Sequence, residues 1–212
     1  ITSSAPDNVS KNLKLGNQTV SGLFDTKQMI LDIHSNRIDW VLKSAEVEPL
    51  DSIGSYDEIA KEFIGCINKW FNIMPDLSSQ RIAYAGQLIF PVASRIEGYE
   101  VLNNLLDYVE IDPVNSTDFQ YQINRPTESS VIDGLMINKL SSWSAITQAI
   151  MTIALPSSGV TQQQKGIYCF LQFDVNTFES YTNGFDCDKS NLVFNELITI
   201  ALDLIANGDK RC

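Results

Sequence analysis

Basic side chains are in short supply: 15 lysines and arginines stand against 26 aspartates and glutamates, a formal net charge of −11. Binding to duplex nucleic acid needs clustered Lys and Arg to neutralise phosphates. Here the cations are scattered singly, and Lys210-Arg211 is the only adjacent pair. An anionic membrane surface is disfavoured on the same ground. Histidine is scarcer still, with His34 alone in the chain. No apolar run reaches the roughly 18 residues a membrane helix requires. No P-loop, G-x-G-x-x-G fingerprint or G-x-S-x-G nucleophile elbow occurs, so nucleotide binding and serine hydrolysis have no motif behind them.

The four cysteines, Cys66, Cys169, Cys187 and Cys212, form no C-x-x-C and no zinc-like spacing. Cys66 and Cys169 fall inside apolar periodic segments and read as core thiols, which makes a reducing cytoplasm the simplest home. The chain opens without the basic-then-apolar layout of a signal peptide and without an initiator Met, as a trimmed or processed chain or a fragment would. Asn8, Asn17 and Asn115 begin Asn-x-Ser/Thr triplets, which carry weight only in a secreted eukaryotic protein.

What is present is a globular balance, 44% hydrophobic and 19% charged over 212 residues, enough for a substantial core without staples. Residues 1–22 are polar, rich in Ser, Asn and Gly, and without period; we expect a flexible arm. Residues 23–212 read as a single α+β domain, with pseudo-equivalent halves at 23–112 and 113–212 as an alternative division. Met29 to Ile33 and Arg37 to Lys43 alternate as strands around the turn His34-Ser35-Asn36, with Ile38, Trp40 and Leu42 on one face. Ser55-Tyr56-Asp57-Glu58 has the form of a capping box. Behind it Ile59, Phe63, Ile67, Trp70 and Phe71 recur at helical spacing, with Pro75 past the end.

Residues 81–90 are apolar on both faces, as in a central strand, and Gly86 marks a bulge or a close approach. A shorter amphipathic helix follows over 97–109. Strands are expected at 118–124, 131–140, 143–155 and 165–175. The links between them (residues 125–129, Ser141-Ser142 and residues 156–159) are short, and short links imply an antiparallel meander. A last helix spans 192–206, stopped by Asn207-Gly208. The expected fold is therefore α+β, a mainly antiparallel sheet of about six or seven strands with three helices packed on it.

Candidate sites are sparse. His34 with Asp32 and Asp39 is the acid–base possibility: in a strand Asp32 and His34 share a face about 7 Å apart. Cys187 lies near a helix start, but Asp186 and Asp188 beside it oppose a thiolate. Glu97, Glu100, Asp107, Glu110, Asp112 and Asp118 form an acidic run without the glycine-rich loop or EF-hand pattern of a cation site. Phe119, Tyr121, Tyr168 and Phe170 have the look of an RNA-binding sheet surface, yet only Arg125 and Lys165 lie near them. The stretch 143–155 puts Trp143, Ala145, Ala149, Met151 and Ile153 on one face of a long ribbon. It is a candidate edge for pairing with a partner, against the plainer reading of a long twisted hairpin.

Several segments in this order and spacing resemble a sporadically distributed family of uncharacterised, mainly bacterial α+β proteins with a roughly twice-repeated αβ layout. They are Arg37-Ile38-Asp39-Trp40, the helix from Tyr56 to Phe71, Arg81-Ile82-Ala83-Tyr84, the strand from Phe170 to Asn176 and the helix from Leu192. The resemblance covers most of residues 24–206. It departs at the N-terminus, where such proteins begin with a further strand and helix. It implies no site residues, and its patchy distribution suits accessory genes such as defence or mobile-element cargo. The functional expectation is a non-catalytic protein–protein interaction or scaffolding module, self-associating or bound to a protein partner. It would need no cofactor or metal, and neither membrane nor duplex nucleic acid. The alternatives are a carboxylate/Mg²⁺-dependent hydrolase or nuclease-like enzyme, tested by convergence of three acidic side chains, and a small-ligand-binding domain.

Overall fold

A computed structural model describes residues 5–12, 16–45, 52–74, 76–154 and 159–211, with 148–154 and 159–165 as backbone. The chain divides into two compact units, Ile1–Pro75 and Asp76–Cys212, each with its own antiparallel sheet. The class is α+β: three helices with one sheet of four strands and one of five, where the sequence pointed to a single sheet. The division falls after Pro75, far from the junction of the two halves at residue 112.

In the first unit β1 (Asn8–Asn12), β2 (Asn17–Phe24), β3 (Lys27–Ile33) and β4 (Ile38–Ser44) run up and down in chain order. The segment read as a flexible arm is thus corrected: its described residues form two strands. Val9, Val20, Leu31 and Trp40 make one cross-strand row, and Ser10, Thr19, Asp32 and Asp39 make the adjacent row on the other face. Ser, Asn and Gln dilute that alternation in β1 and β2, which is why it has little period in the sequence. The β2–β3 turn is closed by Asp25 at φ 55°, a left-handed conformation that Asp tolerates. At the β3–β4 turn the His34 N–H donates to the Arg37 carbonyl at 2.8 Å.

Helix α1 (Tyr56–Ile73) buries Ala60, Cys66, Ile67 and Phe71. Its Trp70 meets Trp40 of β4 edge-on at 6.0 Å, which fixes the apolar sheet face as the packed one. The capping-box spelling at its start is only half realised. Ser55 is the N-cap, but its hydroxyl makes no cap hydrogen bond; Asp57 and Glu58 complement the helix dipole instead.

The second unit contains β5 (Ala83–Val92), β6 (Gln120–Asn124), β7 (Thr127–Glu128), β8 (Met136–Ala154) and β9 (Gly159–Thr177). The order is β5-β9-β8-β6, every pair antiparallel, with β7 also on β8. Ser141-Ser142 is not a break. Both residues lie inside one 19-residue strand, because β6 and β9 supply ladder partners on either side of them. A serine pair reads as a turn only while its neighbours are unknown.

Helices α2 (Arg95–Leu105) and α3 (Cys187–Asn207) cover one face of this sheet. Tyr84 packs edge-on against Phe194 of α3 at 6.0 Å. Gly98 of α2 comes so close that an added Cβ would lie 3.4 Å from the Ala145 Cβ. The covered face holds Leu171, Phe173, Val175, Ile137 and Trp143, all buried. Gly86 is indeed a point of close approach and not a bulge: the β5–β9 register runs through it unbroken. The ring of its partner Phe173 occupies the space its side chain would fill, with a Cβ there 2.7 Å from the ring. Helix α2 carries the capping box that is fully formed: Ser94 Oγ accepts from the Glu97 N–H, and the Glu97 carboxylate accepts from the Ala93 N–H. Helix α3 is capped by Asp186 and closed by Gly208 at φ 79°.

Candidate interaction surface

The longest stretch without a formal charge is residues 140–164, bounded by Lys139 and Lys165. It builds most of β8 and the first part of β9. Pairing with β5 ends at Val92↔Ile167 and pairing with β6 ends at Gln120↔Ser144. Beyond them the ribbon continues through seven more pairs, Gln148↔Gly166 to Ala154↔Gly159, roughly 20 Å of strand. Over that length both outer edges lack a strand partner among the described residues.

Proteins usually guard such edges with Lys, Pro, brevity or a bulge. Here β1 carries Lys11, β5 has Pro91 near its end, and β6 is five residues long. The overhang has Lys165 at its root, inside the register shift at Gln148/Ala149 that adds local twist, and from Ala149↔Gln164 outward its strands hold neither Lys nor Pro.

The five ribbon residues singled out in the sequence separate in space. Trp143 is 3% exposed on the helix-covered face, opposite Leu171 and Tyr121, and Ala145 lies under Gly98 of α2. These two belong to the core side. The side chains of Ala149, Met151 and Ile153 lie outside the described residues; their backbones pair with Gln164, Gln162 and Val160 in the overhang.

The acid–base candidates are also placed. Asp32 and Asp39 are direct cross-strand partners on the open face of the first sheet. Thr19 donates to Asp32 at 2.6 Å and Arg37 to Asp39 at 2.7 Å. His34 sits exposed at the hairpin end, one residue past the last β3–β4 pair, Ile33↔Ile38. Among the described residues no three His, Cys, Asp or Glu side chains are grouped so as to hold a metal ion. Three of the six acids in the run from Glu97 to Asp118 are committed to structure. Glu97 caps α2, Asp107 holds Lys210, and Asp112 caps the turn through Val114 and Asn115. The Lys210 ammonium, then the Arg211 N–H, hold the Asp107 carboxyl below the usual aspartate value. The Asn115 side chain and N–H do the same for Asp112.

The most buried carboxylate went unnoticed in the sequence. Asp209, 2% exposed, receives both Arg125 Nε and Nη2 at 3.1 Å and the Tyr121 hydroxyl at 2.6 Å. The Arg125 guanidinium lies over the Tyr108 ring at 3.9 Å. Burial pushes the Asp209 carboxyl up, but the Arg125 and Tyr121 hydrogen bonds outweigh it and hold the carboxyl below its ordinary value. Burial and the same carboxylate push the Tyr121 phenol up. This clasp pins the end of α3 beside α2 and β6, and its charges are fully paired, which marks it as structural. Cys169 is equally inert: burial, aided by Glu97, pushes its thiol up to about 11.

The sheet face opposite the helices is open. Gln87, Gln172, Ser142 and Gln122 form one row across all four long-range neighbours of the sheet, and the three glutamines are exposed. At one end Asn124 donates to Asn138 at 2.7 Å and Asn138 to Asn176 at 3.0 Å, a run of amides across three strands, and Arg81 also donates to Asn176. At the other end Phe170 and Tyr168 stand half-buried.

No helix among the described residues is long and apolar enough to cross a membrane. No family model matches the chain, and no curated protein or solved structure matches it significantly.

Proposed function

We propose that the chain is a non-catalytic protein-interaction module that associates by strand addition along the β8–β9 overhang, with a second copy as its first partner. The observation that supports this reading is a 25-residue stretch, 140–164, free of charge in a chain of net charge −11. Copies of so acidic a protein repel one another over most of their surface. The overhang is where two copies approach without opposing carboxylates, and its unpaired backbone groups supply the hydrogen bonds. The resemblance to a patchily distributed bacterial family agrees with an accessory role, defence among them.

The test is light scattering on a sizing column at tens of micromolar. The full chain is expected at a multiple of its 23.7 kDa mass. Replacing residues 149–164 by Asn-Gly, or introducing Thr152→Lys, is expected to return it to that mass with the fold intact. A wild-type chain that runs as a strict monomer, without a co-purifying protein, removes the basis for self-association.

A further inference from the structure

The open face of the second sheet is distinct from the ribbon edge and carries its own chemistry. Along β9 it presents Tyr168, Phe170 and Gln172; its central row adds Gln87, Ser142 and Gln122. Tyr168 does not stand upright. A Cβ on Gly166, two residues away on the same face, would fall 2.7 Å from the Tyr168 hydroxyl oxygen and 2.8 Å from its ring. The ring therefore lies along the strand over Gly166 and is only half-buried there. Its cross-strand neighbours are Pro91 and Ile146; Phe170 follows it along β9, and beside Phe170 come the primary amides of the Gln172 row, each both donor and acceptor. Arg81 at the far end is committed to Glu179 and Asn176. Of the carboxylates on the face, Asp174 accepts from Asn176 at 2.9 Å, and Glu128 lies at the edge opposite Met136.

Aromatic planes beside neutral amides, without free cations, match a ligand with apolar C–H faces and many hydroxyls and no charge. Polyanions are opposed: an RNA platform needs basic residues beside its aromatics, and here none is free among the described residues of the face. Three strands at about 4.8 Å over five rows at about 6.8 Å, with β6 as a fourth strand along three of those rows, make a platform roughly 10 to 14 by 27 Å. That is a surface for a chain of sugars and not for one small molecule, as on other sheet proteins that bind oligosaccharides. We propose that this face binds a neutral polysaccharide, with Tyr168 stacking on a sugar ring and Gln172, Gln87 and Gln122 hydrogen-bonding its hydroxyls.

The probes are hydroxyethylcellulose, galactomannan and laminarin, cast one at a time into native gels, with heparin as the charged arm. The full chain is expected to be retarded by at least one neutral polysaccharide, with no loss in raised salt. Tyr168→Ala and Gln172→Ala are each expected to weaken retardation by about fivefold, the scale of one lost contact. Should Tyr168→Ala lose its thermal transition, the exposed pair Gln87→Ala/Gln172→Ala carries the test. Glu100→Gln on α2 serves as the off-face control. The proposal is overturned if no neutral gel retards the wild type. It is equally overturned if the face variants bind as the wild type does, or if only heparin retards and salt abolishes it. Because these residues lie off the overhang, failure here leaves self-association by the ribbon untouched, and the converse holds.

Discussion

At its base the β8–β9 ribbon has β5 alongside up to Ile167, β6 alongside up to Ser144, and two helices over one face. From Gln148↔Gly166 outward it has only itself among the described residues. The base is held by Trp143, Leu171 and Phe173, each no more than 6% exposed, while the overhang carries no proline within its strands and a single charge, Lys165 at its root. One continuous pair of strands thus serves as core at one end and as an offered edge at the other. Length alone separates the two roles, since nothing in the local residue types marks where the neighbours stop.

The comparison breaks first at the base. Phe173→Ala is expected to cost about 3–5 kcal/mol in chemical denaturation, the usual range for a buried aromatic. Gly86→Ala is expected to cost about 2 kcal/mol by forcing the Phe173 ring aside. In a Phe173→Leu background that penalty should fall by half or more, and an undiminished penalty would mean the strain lies in the β5 backbone. Next comes Asp209→Asn, at about 3 kcal/mol. That is the low end for breaking a buried ion pair, because a third of the Arg125 side chain still reaches solvent. The sign in pH follows from the lowered carboxyl. Its contribution is present above the unfolded aspartate value, about pH 4, and is lost as pH falls through the folded value. The gap between wild type and Asp209→Asn should therefore close only on the acid side.

Cutting back the overhang, by contrast, should leave the unfolding free energy from urea titration within about 0.5 kcal/mol of wild type, as for changes remote from packed structure. A loss comparable to Phe173→Ala would show that the overhang is packed after all. The smallest contrast lies between the two helix starts. Ser94→Ala should cost about 1 kcal/mol, the ordinary value of an N-cap, whereas Ser55→Ala, which removes no cap hydrogen bond, should cost a few tenths at most.

These contrasts also mark where the sequence is readable. The strands at Met29 and Ile38, the helix behind Tyr56 and the closing helix were all legible, because their apolar periods are strong and bounded by turn or cap residues. Residues 8–24 were not: their strands alternate polar with weakly apolar side chains, and pairing with β3 supplies what propensity does not. Ser141-Ser142 misled because turn propensity is a local quantity while a central strand is held from both sides. The S-x-x-E spelling occurs at both Ser55 and Ser94, and only the second closes both bonds. Of the surface candidates, strand period put Trp143 on its true face, but which face the helices cover is decided by residues far away in the chain. Asp209 gave no signal, since its partners Tyr121 and Arg125 lie more than 80 residues upstream.

The strand order β5-β9-β8-β6 also sets a timetable for synthesis. β8 and β9 are chain neighbours and can zip from their connecting loop within microseconds, but β5 must wait for a partner that follows it by some 75 residues. At ribosomal speeds of about 5–20 residues per second, the apolar Leu88-Ile89-Phe90 segment stays without its neighbour for several seconds. A nascent chain halted before Ile167 would expose that segment to holdase chaperones and proteases, whereas one released after Thr177 would have it covered.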